Sequence, residues 1–290
     1  MLLQPNAKIN IGLNIVRKRA DGYHDLETIF YPISLCDRIE ISRTTEHNDL
    51  RFHSGEGIVL DCSDENNLIV KTYRIFKKQY GIGGVDISFE KHIPFGAGLG
   101  GGSSDAAHTA IALNQLFDLQ LSSDELQQTV RQLGADCPFF IINKPCFAQG
   151  IGDILQPIDV DLHKYELLLI KPDIHVSTRD AYSHVLPQQP QTSLTELIEL
   201  PVNKWKDHIR NDFEESVFQR FPQLSVIKQV LYEYGAEYAS MSGSGSSFYG
   251  LFRRGSLKQL QAEGGTDIKL RLKNENLAAM VFFDNTFGER

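Results

Sequence analysis

Pro94-Phe95-Gly96-Ala97-Gly98-Leu99-Gly100-Gly101-Gly102-Ser103-Ser104-Asp105 decides how this chain is read. Five of the seven residues 96–102 are glycine, a composition that costs conformational entropy on folding. The run lies between Val85–Phe89, whose alternation predicts a strand, and a segment from Asp105 to Phe117 that predicts a helix. Ala106, Ala110, Leu113 and Phe117 share one face of that helix. Glycines let a backbone come close to a ligand, and successive N–H groups form an anion nest. A helix start adds its partial positive charge. A triphosphate suits this arrangement; a flexible loop or tight turn is the alternative. Two familiar phosphate motifs fail here. The P-loop needs a Lys after its last glycine, and Ser103 stands there. The dinucleotide pattern matches at Gly96, Gly98 and Gly101, but the acid about 20 residues on, Asp124, opens a helix instead of ending a second strand.

Reading outward, Ala7, Ile9, Ile11, Leu13 and Ile15 alternate with Lys8, Asn10, Gly12 and Asn14, which predicts a strand with one apolar face. Asp21-Gly22 predicts a turn, with strands near Leu26–Tyr31 and Arg38–Ser42 beyond it. Asn67–Tyr80 reads as a helix. Another opens at Ser122 or Ser123 as N-cap and is expected to stop at Leu133, with Gly134 as its left-handed cap. Phe139–Ile142, Cys146–Gln149 and Glu166–Lys171 look like strands. Helices are expected over Asp212–Arg220 and Pro222–Tyr234, the latter with Pro222 at its first position and Gly235 past its end. Strands are expected near Ser247–Phe252 and Ala278–Phe283. Strands and helices mixed in this way predict an α+β fold. At 290 residues the chain has room for one to two domains, placed at 1–156 and 157–290.

Apolar residues make up 41% and charged residues 23%, the balance of a globular protein. The net charge of −8 argues against a nucleic-acid groove, but a phosphate site needs only local N–H groups and one or two cations. Cys36, Cys62, Cys137 and Cys146 form no C-x-x-C pair, which points to buried free thiols in a reducing compartment. The N-terminus lacks the pattern of a signal peptide, and apolar runs such as Leu167–Ile170 are too short to span a bilayer. A cytoplasmic protein with no membrane partner is expected.

The glycine run resembles motif II of the GHMP superfamily of small-molecule kinases. Its form from Gly98 to Ala107 resembles the branch that phosphorylates a cytidyl diphosphate of methylerythritol in the non-mevalonate route to isoprenoid precursors. Asp105 departs from that branch, where Asn is common. Three further segments match in order: Pro5-Asn6-Ala7-Lys8-Ile9-Asn10 with Arg19–His24; Leu133-Gly134-Ala135-Asp136-Cys137-Pro138-Phe139-Phe140 with Ala148–Asp153; and Met241-Ser242-Gly243-Ser244-Gly245-Ser246. Together they run from residue 5 to about 252.

The resemblance implies a GHMP kinase two-domain fold, with an N-terminal part like domain 2 of ribosomal protein S5 and a ferredoxin-like C-terminal part. It implies ATP as phosphoryl donor, with Mg²⁺ carried in by ATP and no protein cage for the metal. Asp136, which in isolation reads as a turn or capping residue, becomes the catalytic aspartate that orients the attacking hydroxyl. Lys8, in isolation a solvated lysine, becomes its catalytic cation. Pro94, Phe95, Gly96, Ala97, Gly98, Leu99, Gly100, Gly101, Gly102, Ser103 and Ser104, with Asn67 and Lys91, are expected to line the ATP site. Asn10, Tyr23, His24, Thr178, Tyr182, Gly243 and Gly245 are expected to hold the cytidyl substrate, with Tyr23 and Tyr182 stacking on the base and His24 reading its edge.

Overall fold

The computed structural model describes residues 1–55, 64–183, 185–285 and 287, so Cys62 lies outside the described residues. The chain divides into two compact units. One is Met1–Ala7, Leu35–Phe95 and Gly100–Lys144; the other is Lys8–Ser34, Gly96–Leu99 and Pro145–Arg290. Both mix sheet and helix, and the α+β class expected from the sequence is the class observed.

In the first unit, strand Arg38–Arg43 runs antiparallel to Leu2–Leu3 and to Val85–Glu90, and Leu50–Ser54 adds to the sheet in parallel. Helices Leu68–Tyr80, Gly101–Leu116, Ser123–Arg131 and Cys137–Ile142 belong to this unit. Ile39, Ile41, Ile87 and Phe89 from the strands pack with Tyr73, Phe76, Ala106, Ala110 and Leu113 from the helices. Each fully buried Ile or Phe contributes about 1.5–3 kcal/mol.

The local signals explain most of these helices. Asn67 caps Leu68–Tyr80, its Oδ1 accepting from Ile69 N at 2.8 Å. Ser122 and Glu125 form a reciprocal capping box at the start of Ser123–Arg131. That helix ends two residues before the expected Leu133, and Gly134 does not adopt a left-handed conformation. Phe139–Ile142, expected as a strand, belongs to helix Cys137–Ile142. Four apolar residues carry no period, and Pro138, which lacks an N–H, suits the first helical turn.

In the second unit, Asn6–Lys18 and His24–Cys36 lie side by side in a sheet continued by Cys146–Gln149 and Ile154–Pro157. A second sheet has the antiparallel order Tyr238–Met241, Phe248–Arg253, Tyr165–Pro172, Ala279–Asp284. Helix Leu224–Glu233 packs on it through Leu224, Ile227, Val230 and Leu231. This helix begins two residues after Pro222, so Pro222 is not its first residue; Gly235 does take the left-handed conformation past its end. The turn expected at Asp21-Gly22 is present, closed by Arg19 N donating to Tyr23 O at 2.8 Å. Among the described residues no helix is long and apolar enough to cross a membrane.

Candidate active site

The first unit holds a glycine-led helix start. Helix Gly101–Leu116 begins four residues before the expected Asp105, because Gly100 serves as N-cap with φ 71°. Gly100 has no side chain to cap with, and no acid stands in the first turn. Ser104 N donates back to Gly100 O at 2.9 Å, so the N–H groups of Gly101, Gly102 and Ser103 have no acceptor within the helix. Ser104 is buried, with its oxygens near His108 Nδ1, while Ser103 is half-buried. A Cβ built at Gly134 would lie 3.4 Å from Cys137 Sγ and 3.6 Å from Ser103 Oγ, so the bare glycine lets the 134–137 turn pack against the helix start.

That turn carries Asp136. Its residue caps Cys137–Ile142 by position only: the side chain accepts no N–H of that helix. The capping alternative for this aspartate is thus not what the side chain does. Cys137 beside it is buried, and burial pushes its thiol up to about 12. Burial likewise lifts Cys146, to about 11; Cys137 and Cys146 are both free thiols.

Lys91 is not at a surface. Its Nζ lies between Asp37 Oδ2 at 2.5 Å and Asp105 Oδ2 at 2.8 Å. Asp37 Oδ1 accepts from His92 N at 2.6 Å and Ile93 N at 2.8 Å. A Cβ at Gly101 would lie 3.0 Å from Lys91 Nζ, so the ammonium packs directly beneath the first residue of the helix. Burial alone would lower the lysine's pKa, but the carboxylates of Asp105 and Asp37 outweigh it and raise it. Asp105 is held well above the usual carboxylate range, mainly by burial, with the Asp37 charge adding and Lys91 opposing. The surroundings of Asp105 thus favour its protonated form over the charged one. Its pKa is higher folded than unfolded, so this contribution to stability is full below the ordinary carboxylate range and is lost as pH rises through the raised value. Asp105→Asn keeps an oxygen for Lys91 and removes the titration. The melting temperature of the variant relative to the unmodified chain is expected to climb as pH is raised, read by calorimetry across a pH series; a constant difference would show that the Asp105 pKa is not raised.

The second unit holds Lys8 in a buried polar network. The alternation of strand Asn6–Lys18 is as expected, but its polar face is not solvated: Lys8 is 3% and Asn10 2% exposed. Lys8 Nζ donates to Asn10 Oδ1 at 2.6 Å and to Gly98 O at 3.4 Å, and lies 4.8 Å over the Phe30 ring. Its N–H donates to Leu99 O at 3.0 Å. Gly98 has φ 75°, and a Cβ there would lie 2.0 Å from Ser242 O, so only glycine fits. Ser242 Oγ donates to Gly98 O at 2.9 Å and accepts from Asn10 N at 3.3 Å. Ala97 O accepts from Ser247 N at 3.2 Å, and Gly96 packs on the His175 ring. Thus Gly96–Leu99, Lys8, Asn10 and the Gly243–Gly245 loop come together in this unit. Asn211 supports the loop from below, its Nδ2 donating to Met241 O and Gly243 O at 2.8 Å each.

Thr178 reaches the same loop, with its Oγ1 at 3.4 Å from Ser244 Oγ. Tyr182 stacks on His24, centroids 4.7 Å apart, and meets Phe213 edge-on. Burial, followed by the Lys18 charge, lowers the His24 pKa. Tyr23 stands at the tip of the hairpin, 62% exposed. Pro94 and Phe95 close the first unit's middle segment, Phe95 ring 5.4 Å from Lys91 Nζ. The sequence reading passed over Asp37, Thr28, Ser242, Asn211 and Tyr249. Ser242 lay inside a quoted motif; the others carry no local signal, because their partners are distant in sequence. Among the described residues no group of three or more His, Cys, Asp or Glu could hold a metal ion.

Comparison with known proteins follows the same lines. GHMP kinases N terminal domain matches residues 67–144, and GHMP kinases C terminal matches residues 195–266. The chain is similar to the 4-diphosphocytidyl-2-C-methyl-D-erythritol kinase of Azobacteroides pseudotrichonymphae genomovar. CFP2, 52% identical over 255 residues, 88% of this chain and 94% of that protein. It is 50% identical over 270 residues to the enzyme of the same name from Bacteroides thetaiotaomicron, 92% of this chain and 97% of that one. A crystal structure of 4-(cytidine 5′-diphospho)-2C-methyl-D-erythritol kinase matches with a TM-score of 0.79 at 30% identity, covering 98% of each chain. Identity at this level over nearly the full length, with both domains matched, establishes that the chain belongs to the 4-diphosphocytidyl-2-C-methyl-D-erythritol kinase family of GHMP kinases.

Proposed function

We propose that this chain transfers the γ-phosphoryl group of ATP to the 2-hydroxyl of 4-diphosphocytidyl-2-C-methyl-D-erythritol, giving ADP and the 2-phosphate, in non-mevalonate isoprenoid precursor biosynthesis. The observation that carries this reading is the helix start at Gly101, uncapped and free of acids, with the Asp136 turn packed against it. Phosphoryl transfer asks little covalent chemistry of a protein; it asks for positioning and charge. The N–H groups of Gly101, Gly102 and Ser103 suit the phosphates of ATP, and ATP supplies the group that is transferred. Mg²⁺ carried in with the nucleotide would neutralise part of the phosphate charge.

Asp136 accepts the hydrogen bond of the attacking hydroxyl and orients it, taking up the proton late. Lys8 supplies positive charge for the transferring group, with Asn10 holding the ammonium in place. Tyr23 offers an exposed ring for the cytosine, Tyr182 and His24 present a second aromatic surface, and Thr178 with the Gly243–Gly245 loop offers polar groups to the same substrate. Asn67 and Lys91 serve the ATP site. Free buried thiols at Cys137 and Cys146 support action in the cytoplasm, a reducing compartment.

Phosphorylation is tested by incubating the chain with ATP and the cytidyl substrate, and in parallel with homoserine and with mevalonate. ADP release with the cytidyl substrate alone is expected. Turnover of homoserine or mevalonate instead would move the chain to another branch of the superfamily, and no turnover of any of the three would leave a nucleotide-binding protein without this activity.

A further inference from the structure

We propose that Thr28 is a positioning residue for phosphoryl transfer: its buried hydroxyl fixes which end of the Asn10 amide faces Lys8. The inference rests on the functional reading of Lys8 given above. Thr28 lies on strand His24–Cys36 and is fully buried. Its Oγ1 donates to Gly12 O at 2.6 Å, which uses its one proton. What remains on the oxygen is acceptor capacity, and Asn10 Nδ2 donates to it at 3.0 Å. The Oδ1 end of the amide is thereby turned toward Lys8 Nζ, 2.6 Å away.

Lys8 Nζ, which can only donate, and Ser242 Oγ, 3.5 Å away, select the same Oδ1 end; Thr28 is the partner that holds the Nδ2 end. The main chain of Asn10 is pinned at both ends: its N–H donates to Ser242 Oγ at 3.3 Å, and its carbonyl accepts from Tyr249 Oη at 2.8 Å. Rotation of the amide plane is the freedom left to the residue. The two amide ends have nearly the same shape, so sterics alone do not choose between them. A flipped amide would set two donors, Nδ2 and the ammonium, against each other and would face Oδ1 with the acceptor side of Thr28. Gly12 O, the anchor of the hydroxyl, is itself closely held, since a Cβ at Gly12 would lie 2.7 Å from Leu194 and 2.8 Å from Ile209. The relay runs Gly12, Thr28, Asn10, Lys8, all in one unit.

Thr28→Val preserves shape and removes the acceptor. It is expected to lower kcat about tenfold, the scale of one buried hydrogen bond left unmade, with the KM for ATP held within about twofold. Thr28→Ser, which keeps the hydroxyl, is expected to restore kcat to within about threefold of the unmodified chain. In a Lys8→Met background, Thr28→Val is expected to cost no further activity, because the relay has lost its end point. An undiminished tenfold effect there, or failure of Ser to rescue, would overturn the proposal. A readout independent of turnover is the side-chain amide resonance of Asn10 by NMR, expected to shift and lose exchange protection in Thr28→Val but not in Thr28→Ser. Unchanged resonances would overturn the positioning role even if the chain proved to have another substrate; absent turnover with shifted resonances would instead count against the functional reading alone. Should Thr28→Val fail to fold, Thr28→Cys, a weaker acceptor of similar size, carries the same comparison.

Discussion

Asp136→Asn is expected to lower kcat by roughly 10²–10⁴-fold, the usual scale for removing a group that handles a proton in the transition state. Asparagine keeps the shape of the residue but not the charge that the attacking hydroxyl needs. The N–H groups of Gly101, Gly102 and Ser103 are untouched, so ATP affinity by titration calorimetry is expected to stay close to that of the unmodified chain. Helix Cys137–Ile142 does not use this side chain as a cap, so its start does not depend on the carboxylate. Rapid-quench measurement of a single turnover separates the chemical step from product release. Turnover near that of the unmodified chain would take Asp136 out of the chemistry.

Gly98→Ala is expected to be the most damaging single methyl group in the second unit. The left-handed conformation at φ 75° costs an L-residue roughly 1–2 kcal/mol. The new Cβ would also lie 2.0 Å from Ser242 O, which is backbone and has no flexible end to yield. Overpacking of this kind adds about 1–3 kcal/mol. Against a total stability of about 5–15 kcal/mol, the melting temperature is expected to fall by roughly 5–15 °C. Activity should fall with it, since Gly98 O accepts from both Ser242 and Lys8. Gly102→Ala is the control. A Cβ there meets only Leu68 Cδ1, at 3.5 Å, in a helix that alanine favours, and a neutral or slightly raised melting temperature is expected. Equal damage at both positions would refute a steric account of Gly98.

The two positions also show what a linear sequence reveals. Short-range physics was legible: the apolar face of Ala7, Ile9, Ile11, Leu13 and Ile15 is buried, Ser122, one of the two expected N-caps, caps its helix, and strands lie close to where alternation placed them. Family motifs carried the kinase assignment further than periodicity could. The polar face of the first strand was not legible as buried, because Ser242 and Tyr249 come from 232 and 239 residues further along. Lys91 was equally opaque: its two carboxylates lie 54 and 14 residues away, and nothing near it in sequence marks it as enclosed. Phe139–Ile142 reads as a strand because four apolar residues in a row fit either period, and tertiary packing places them in helix Cys137–Ile142.

Assembly of the second unit from three stretches of chain bears on how the protein is made. Leu13, Ile15 and Leu26 belong to a core whose other members begin at Leu168 and end with strand Ala279–Asp284. Ser34 N donates to Asp284 Oδ2 at 2.6 Å across a separation of 250 residues. At about 5–20 residues per second, a ribosome takes on the order of 10–50 s to span that gap. Until Cys146–Gln149 and the core members from Leu168 onward emerge, the nascent hairpin carries apolar residues whose partners have not been synthesised. Its sheet edge needs shelter, by a chaperone or by provisional contacts with the growing chain, and codons that slow elongation before residue 284 would lengthen the exposure.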